Sequence, residues 1–343
     1  MQALPAKNKQ LTQSEPYVSR FLVLFRRENR SDSAWPAESA CSTSAEVCLV
    51  TTFDCPPRAA RHYQLPELLQ DIRLLDLLEL CGTTVHASAF LSLSQPTVSR
   101  RYRALAADFN LDRDQRQRGG CCFGSSATMR LLRLGCRAHR LASGVARIGG
   151  DLLHQPLLNG LDWLLPSPPL FRCVESWLEL VRQGVLDGAL ISGLELNAAP
   201  PLDVTDLELV TLGALPLALA VHPMAELPGS RDWPAVLVPH RGVAPGLQQA
   251  LQGLGLNLKS ASDRRTNPQS WLDKLQSHQL ALAVSTAVLE PDGWGEGLRR
   301  LDLPEPLTSP VVLALPRRCC ETAVLQDTVQ QLRAQAAFHA ACA

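Results

Sequence analysis

The order of apolar and polar residues changes character at about Leu65. Upstream, residues 1–64 mix Ser, Thr, Pro, Ala and charge with no sustained period of 3.6 or 2, which reads as a disordered extension or a translation start set too far upstream. Downstream, Leu68, Ile72, Leu75 and Leu78 share one face of a helix that Gly82 should stop. Thr83 and Thr84 can cap a second helix over about residues 85–91. Ser94 then caps a third, with Pro96 in its first turn, where a missing N–H costs nothing. Val98, Tyr102, Leu105 and Phe109 form its packed stripe, and Thr97, Arg100, Arg101 and Arg103 lie largely off it. Three short helices so closely connected are what a helix-turn-helix needs. Gly119-Gly120 inside an Arg/Gln-rich stretch reads as a hairpin tip, a candidate wing.

A longer amphipathic helix follows, with Met129, Leu132, Cys136 and Leu141 on its apolar stripe and Arg130, Arg133, Arg137 and Arg140 beside it. The rest alternates short apolar runs with helical patterns. Strands are expected at 145–148, 170–174, 185–192, 207–221, 236–238, 280–285, 298–303 and 310–315, and helices at 152–165, 176–183, 245–254, 268–277 and 321–336. That alternation is an α/β pattern with a largely parallel sheet.

Charge sharpens this picture. The whole chain of 343 residues is formally neutral, yet residues 100–147 carry 11 arginines against Asp108, Asp112 and Asp114, a local net of +8. One basic, nucleic-acid-facing segment on a neutral or acidic body has this signature. The length suits two or three domains. No apolar run is long enough and free enough of charge and proline to span a bilayer. The 11 cysteines include two vicinal pairs but no CxxC spacing, and the eight histidines are scattered, so neither a metal nor a cofactor is expected. HExxH, GxSxG, a Walker loop and GxGxxG are all missing, which argues against an enzyme. The first residues carry no secretory pattern, and a reducing cytoplasm is the expected location.

At the third helix the chain becomes specific. Ser94-Gln95-Pro96-Thr97-Val98-Ser99-Arg100-Arg101-Tyr102-Arg103-Ala104-Leu105 resembles the recognition-helix signature of LysR-type transcriptional regulators. Gly82-Thr83-Thr84-Val85-His86-Ala87-Ser88 occupies the place of that family's Gly-Ser-Phe-x-x-Ala-Ala, with Thr84 where an aromatic is usual. Weaker likenesses lie at 183–190, 215–223 and 280–289, so the resemblance covers about residues 65–340. The stretch 106–115 departs from the family's usual approach to its wing.

The resemblance implies an N-terminal winged helix-turn-helix over 65–126, a linker and dimerisation helix over 127–144, and a two-lobed effector-binding domain over 145–343 like periplasmic binding proteins. Lobe one would comprise 145–212 and 298–343, and lobe two 213–297. Gln95, Pro96, Thr97, Ser99 and Arg100 would then face bases, with Gln95 suited to adenine and Arg100 to guanine. Arg101 and Arg103, with Arg113, Arg116 and Arg118 of the wing, would hold phosphates. A small-molecule effector would sit between the lobes near Gly149, Gly150, Asp151, Ser192, His222, Arg241, Ser285 and Thr286. The implied partners are promoter DNA, the effector, a second copy of the chain (with dimers of dimers in view) and RNA polymerase, with no membrane. The competing reading is a cytoplasmic small-molecule-binding protein with a degenerate head.

Overall fold

The computed structural model describes residues 59–111, 121–225, 233–240, 242–261, 268–291 and 294–342. Most of the N-terminal extension, the hairpin tip at Gly119-Gly120, and Arg113, Arg116, Arg118 and Arg241 therefore lie outside the described residues. Residues 60–62 form one 3-10 turn, and the Ala60 N–H donates to Asp162 O at 2.6 Å.

The three expected helices are α1 (Gln70–Cys81), α2 (Thr84–Leu91) and α3 (Gln95–Asp108). Gly82 ends α1 at φ 72°, a left-handed conformation that a side chain would strain, and its N–H closes on Leu78 O at 2.8 Å. The Thr83 hydroxyl accepts from His86 N and caps α2. The single-face reading of α1 is corrected. Leu68 is exposed, whereas Leu74, Leu77 and Leu80 are buried beside Ile72, Leu75 and Leu78. One side of α1 packs on α2 and α3. The other packs on Trp177, Leu178 and Val181, so the helix is enclosed all round from Leu74 onward.

After α4 (Ala127–Ala142) the chain is a mixed α/β body. Its strands are β1 (Ile148–Gly149), β2 (Gly188–Ser192), β3 (Leu207–Val221), β4 (Val236–Val238), β5 (Leu258–Ser260), β6 (Ala281–Ser285), β7 (Arg299–Leu301) and β8 (Thr308–Pro316). The helices are α5 (Val174–Arg182), α6 (Gly193–Ala198), α7 (Pro245–Gly253), α8 (Pro268–His278) and α9 (Ala323–Ala341). The strand order is β1-β2-β8-β3-β6-β4-β5, with β7 also on β3.

The sheet is mixed rather than largely parallel. β1–β2, β4–β5 and β4–β6 are parallel, but β3 pairs antiparallel with β6, β7 and β8, and β2 with β8. The cause is the length of β3, which serves β8 with its first two-thirds and β6 and β7 with its last residues. Its register shifts between Thr211 and Gly213, where Gly213 takes φ 150°. Two cores result. One surrounds Leu212, Leu215, Leu313 and Leu332, and the other Leu219, Leu237, Leu251, Trp271 and Leu282.

Two elements expected from spacing do not form. Residues 152–165 make only a 3-10 turn at Gln155–Leu158, because Gly160 adopts φ 76° and Leu165 N turns back to Ala146 O at 2.7 Å. Residues 170–173 run without ladder partners into α5, which starts at Val174. Among the described residues no helix is long and apolar enough to cross a membrane.

Candidate functional site

Helix α3 is anchored from within. The Ser94 hydroxyl accepts from Thr97 N, and Pro96 occupies the first turn. Val98, Tyr102 and Leu105 are buried against α1, Phe123 and Met129. The Tyr102 hydroxyl donates to Phe123 O at 3.1 Å, and the two rings meet edge to face at 5.4 Å. With that side fixed, Pro96, Arg100 and Arg103, at i, i+4 and i+7, stand exposed on the opposite side. Gln95 is exposed at the N-terminal tip, and its Nε2 donates to Thr84 Oγ1 at 3.1 Å. Thr97 and Ser99 are half-buried, and the Thr97 hydroxyl lies 2.8 Å from that of Ser94. Arg101 is engaged within the chain, 2.8 Å from Asp71, with both side chains about half exposed.

Much of the basic run, by contrast, is interior. Arg133, Arg137, Arg140 and Arg147 are all buried. Asp76 on α1 receives Arg133 Nε at 2.9 Å and Arg147 Nη1 at 3.3 Å. Asp187, just before β2, receives Arg140 at 2.6 and 2.9 Å, Arg137 Nε at 3.4 Å and the Arg147 N–H at 2.7 Å. Burial pushes the Asp187 carboxyl up, but Arg140 and Arg137 outweigh it and hold it below the usual carboxylate range. Glu79 accepts from Cys122 N and Phe123 N, each at 2.8 Å. Its own pKa is raised by burial against the pull of Arg133. Arg172 donates to Glu79 O and Leu80 O at the end of α1. These bonds tie α1, α4 and the start of the sheet into one packed unit. They also correct the reading of residues 100–147 as a wholly nucleic-acid-facing surface.

The α4 stripe predicted from spacing is used within the chain. Met129, Cys136 and Leu141 are buried in the cores of this same chain. The outward side instead carries Ala127, Leu131 and Gly135, all exposed.

The residues expected between the lobes fall into separate settings. Gly149 is a packing position, since a Cβ there would lie 2.6 Å from Leu186 and 2.7 Å from Trp177. Gly150 is buried next to it. Asp151 Oδ1 accepts from Leu153 N at 2.9 Å and His154 N at 3.1 Å, and lies 2.7 Å from His154 Nδ1. Ser285 Oγ donates to Leu153 O at 2.6 Å, which holds the end of β6 against the turn that carries Asp151. Thr286 is buried beside it, and neither Thr286 Oγ1 nor His154 Nε2 has a hydrogen-bond partner among the described residues. Ser192 caps α6 through Leu194 N and meets the Ser309 hydroxyl at 2.8 Å. His222 holds a turn by accepting from Met224 N, apart from this group.

One residue of this region was missed. The Glu195 carboxylate accepts from Gly246 N at 2.9 Å and Leu247 N at 2.8 Å, in the first turn of α7. α6 and α7 press together so closely that a Cβ on Gly246 would lie 2.1 Å from Leu194 O. Burial lifts the Glu195 pKa to about 7 against those two N–H donors, with Asp151 adding to the rise and His154 opposing it. Ser192-x-x-Glu195 has capping-box spacing, which marks the start of α6 but not a glutamate that reaches across to another helix.

No family model matches the chain, and no curated protein matches it. Solved structures similar to it include LysR-family transcriptional regulators. CbnR, a LysR-family regulator, is 15% identical over 78% of this chain and 99% of its own, with a TM-score of 0.43. HinK, a LysR-family regulator from Pseudomonas aeruginosa, is 16% identical over 78% and 98%, with a TM-score of 0.40. Full-length LysG from Corynebacterium glutamicum, solved with bound effector Arg, is 20% identical over 78% and 98%, with a TM-score of 0.34.

Proposed function

We propose that this chain is a sequence-specific DNA-binding transcription regulator of the LysR type, without enzymatic activity, controlled by a small-molecule effector. The observation that carries the reading is α3. A Ser94-capped helix buries Val98, Tyr102 and Leu105 and presents Gln95, Pro96, Arg100 and Arg103 outward, in a sequence that resembles the family's recognition helix. In this reading residues 65–126 are a winged helix-turn-helix and 127–144 the linker helix. The body is two lobes that share β3. Gln95 and Arg100 read base edges from the major groove, with Thr97 and Ser99 beside them. Arg103 holds phosphate, and Arg101 does so by leaving Asp71, an exposed pair worth little. The wing arginines Arg113, Arg116 and Arg118 add phosphate contacts. The effector binds where Asp151, Ser192, Ser285 and Thr286 approach the α6–α7 contact. A second copy pairs through the outward side of α4, and the location is the cytoplasm.

Selection of duplexes from a random-sequence pool by the full chain tests this. Enrichment of a two-fold symmetric site that Gln95→Ala and Arg100→Ala alter at separate positions is expected. Enrichment of nothing would leave the alternative, a small-molecule-binding protein with a degenerate DNA-binding head.

A further inference from the structure

Thr84 departs from the residue type that the family resemblance expects, and the fold gives that departure a partner. Thr84 opens α2 and Gln95 opens α3, so the turn between the two helices brings their first residues together. Gln95 Nε2 donates to Thr84 Oγ1 at 3.1 Å. A phenylalanine at position 84 would have no hydroxyl to offer there.

The chemistry of adenine reading gives this bond a consequence. A glutamine pairs with adenine through both ends of its amide: Oε1 accepts from the base N6–H, and Nε2 donates to N7. Nε2 carries two hydrogens, so one can remain on Thr84 while the other reaches the base. The nearby hydroxyls are engaged elsewhere. Ser94 Oγ caps the helix and meets Thr97 Oγ1 at 2.8 Å, and Thr83 Oγ1 caps α2 through His86 N. Gln95 is exposed, and without a tether its side chain would have to be ordered, and its amide turned the right way, on each encounter with DNA.

We propose that Thr84 is a specificity-determining positioning residue, whose hydroxyl holds the Gln95 carboxamide in the orientation that reads adenine. The proposal rests on the regulator reading above and adds to it the residue that sets the selectivity of one base contact.

The test uses the full chain, with duplexes selected from a random-sequence pool by wild type, Gln95→Ala, Thr84→Val and Thr84→Ser. Thr84→Val keeps the shape and removes the hydroxyl; Thr84→Ser keeps the hydroxyl. Gln95→Ala should erase an adenine preference at one position of each half-site. Thr84→Val should weaken the same preference roughly threefold to tenfold, the share of one orienting hydrogen bond, while its affinity for unselected duplex stays at the wild-type value. Thr84→Ser should restore the preference. If Thr84→Val leaves the adenine preference intact where Gln95→Ala erases it, or if Thr84→Ser fails to restore it, the positioning role is overturned and the regulator reading stands. If wild type enriches a site that Gln95→Ala leaves unchanged, the Gln95 contact and this inference fall while the regulator reading stands; if wild type enriches no sequence, the regulator reading falls and takes this inference with it.

Discussion

Asp187→Asn should be among the most damaging single changes in this chain. The substitution keeps the side chain's shape, so no cavity opens, and removes only the charge and one acceptor oxygen. Four donors converge on that carboxylate: two contacts from Arg140 at 2.6 and 2.9 Å, Arg137 Nε at 3.4 Å and Arg147 N at 2.7 Å. Whichever way the new amide turns, its NH2 group faces donors that Asp187 now accepts. Losing two charge-assisted bonds at about 1.5–3 kcal/mol each gives about 3–6 kcal/mol. This agrees with the roughly 3–5 kcal/mol cost of leaving a buried charge without its partner. Against a total stability of about 5–15 kcal/mol, the loss is about a fifth or more. Urea unfolding followed by far-UV circular dichroism would measure it as a lower midpoint at unchanged slope. Asp206→Asn is the control, because its pair with Arg182 is half exposed on the carboxylate side and should cost under about 1 kcal/mol. The native Asp187 pKa is depressed, so its contribution is present above the unfolded value and lost as pH falls through the folded one. A shift for Asp187→Asn no larger than that of Asp206→Asn would refute the buried network as a major source of cohesion.

Three further outcomes follow from the same geometry. Glu195 has its folded pKa raised to about 7, so its contribution is fully present below the unfolded value, near 4.5, and is lost as pH rises through 7. The wild type should therefore lose about 3 kcal/mol relative to Glu195→Gln between those limits, and parallel pH profiles of the two proteins would contradict this. Gly246→Ala should destabilise by about 1–3 kcal/mol or force α6 and α7 apart, because its Cβ would meet Leu194 O at 2.1 Å. Thermal unfolding indistinguishable from wild type would count against that contact. Ser94→Ala should cost about 0.5–2 kcal/mol through loss of the α3 cap, and an unchanged urea midpoint would show the cap to be idle.

What was legible in the sequence was what is locally determined. Gly82, Thr83, Ser94 and Pro96 punctuate α1–α3 because caps act within four residues of their own helix. The Val98, Tyr102 and Leu105 stripe follows from the period alone. Long-range partners were not legible. Arg133 and Arg140 look like a solvent-facing basic run until Asp76 and Asp187 are brought to them across more than forty residues. The second buried face of α1 left a trace in the run 74–81, apolar except for Asp76 and Glu79, but the helix it packs on, α5, could not be inferred from that run. Residues 152–165 have helical leucine spacing, yet Gly160 and the return to Ala146 break the helix. At the candidate site, the recognition-helix residues were named because their motif is contiguous. Glu195 was not, because its partners lie fifty residues away on α7.

The most direct test of the regulator account is a titration of the full chain, by fluorescence anisotropy and at several salt concentrations, onto DNA from upstream of its own gene. Wild type, Gln95→Ala and Arg100→Ala would be compared against unrelated duplex of equal length. The account predicts selective, salt-sensitive binding, with Arg100→Ala losing roughly 5- to 150-fold in selectivity, the worth of one bidentate base contact. Equal binding of both duplexes by all three proteins, or no binding at low salt, would contradict it.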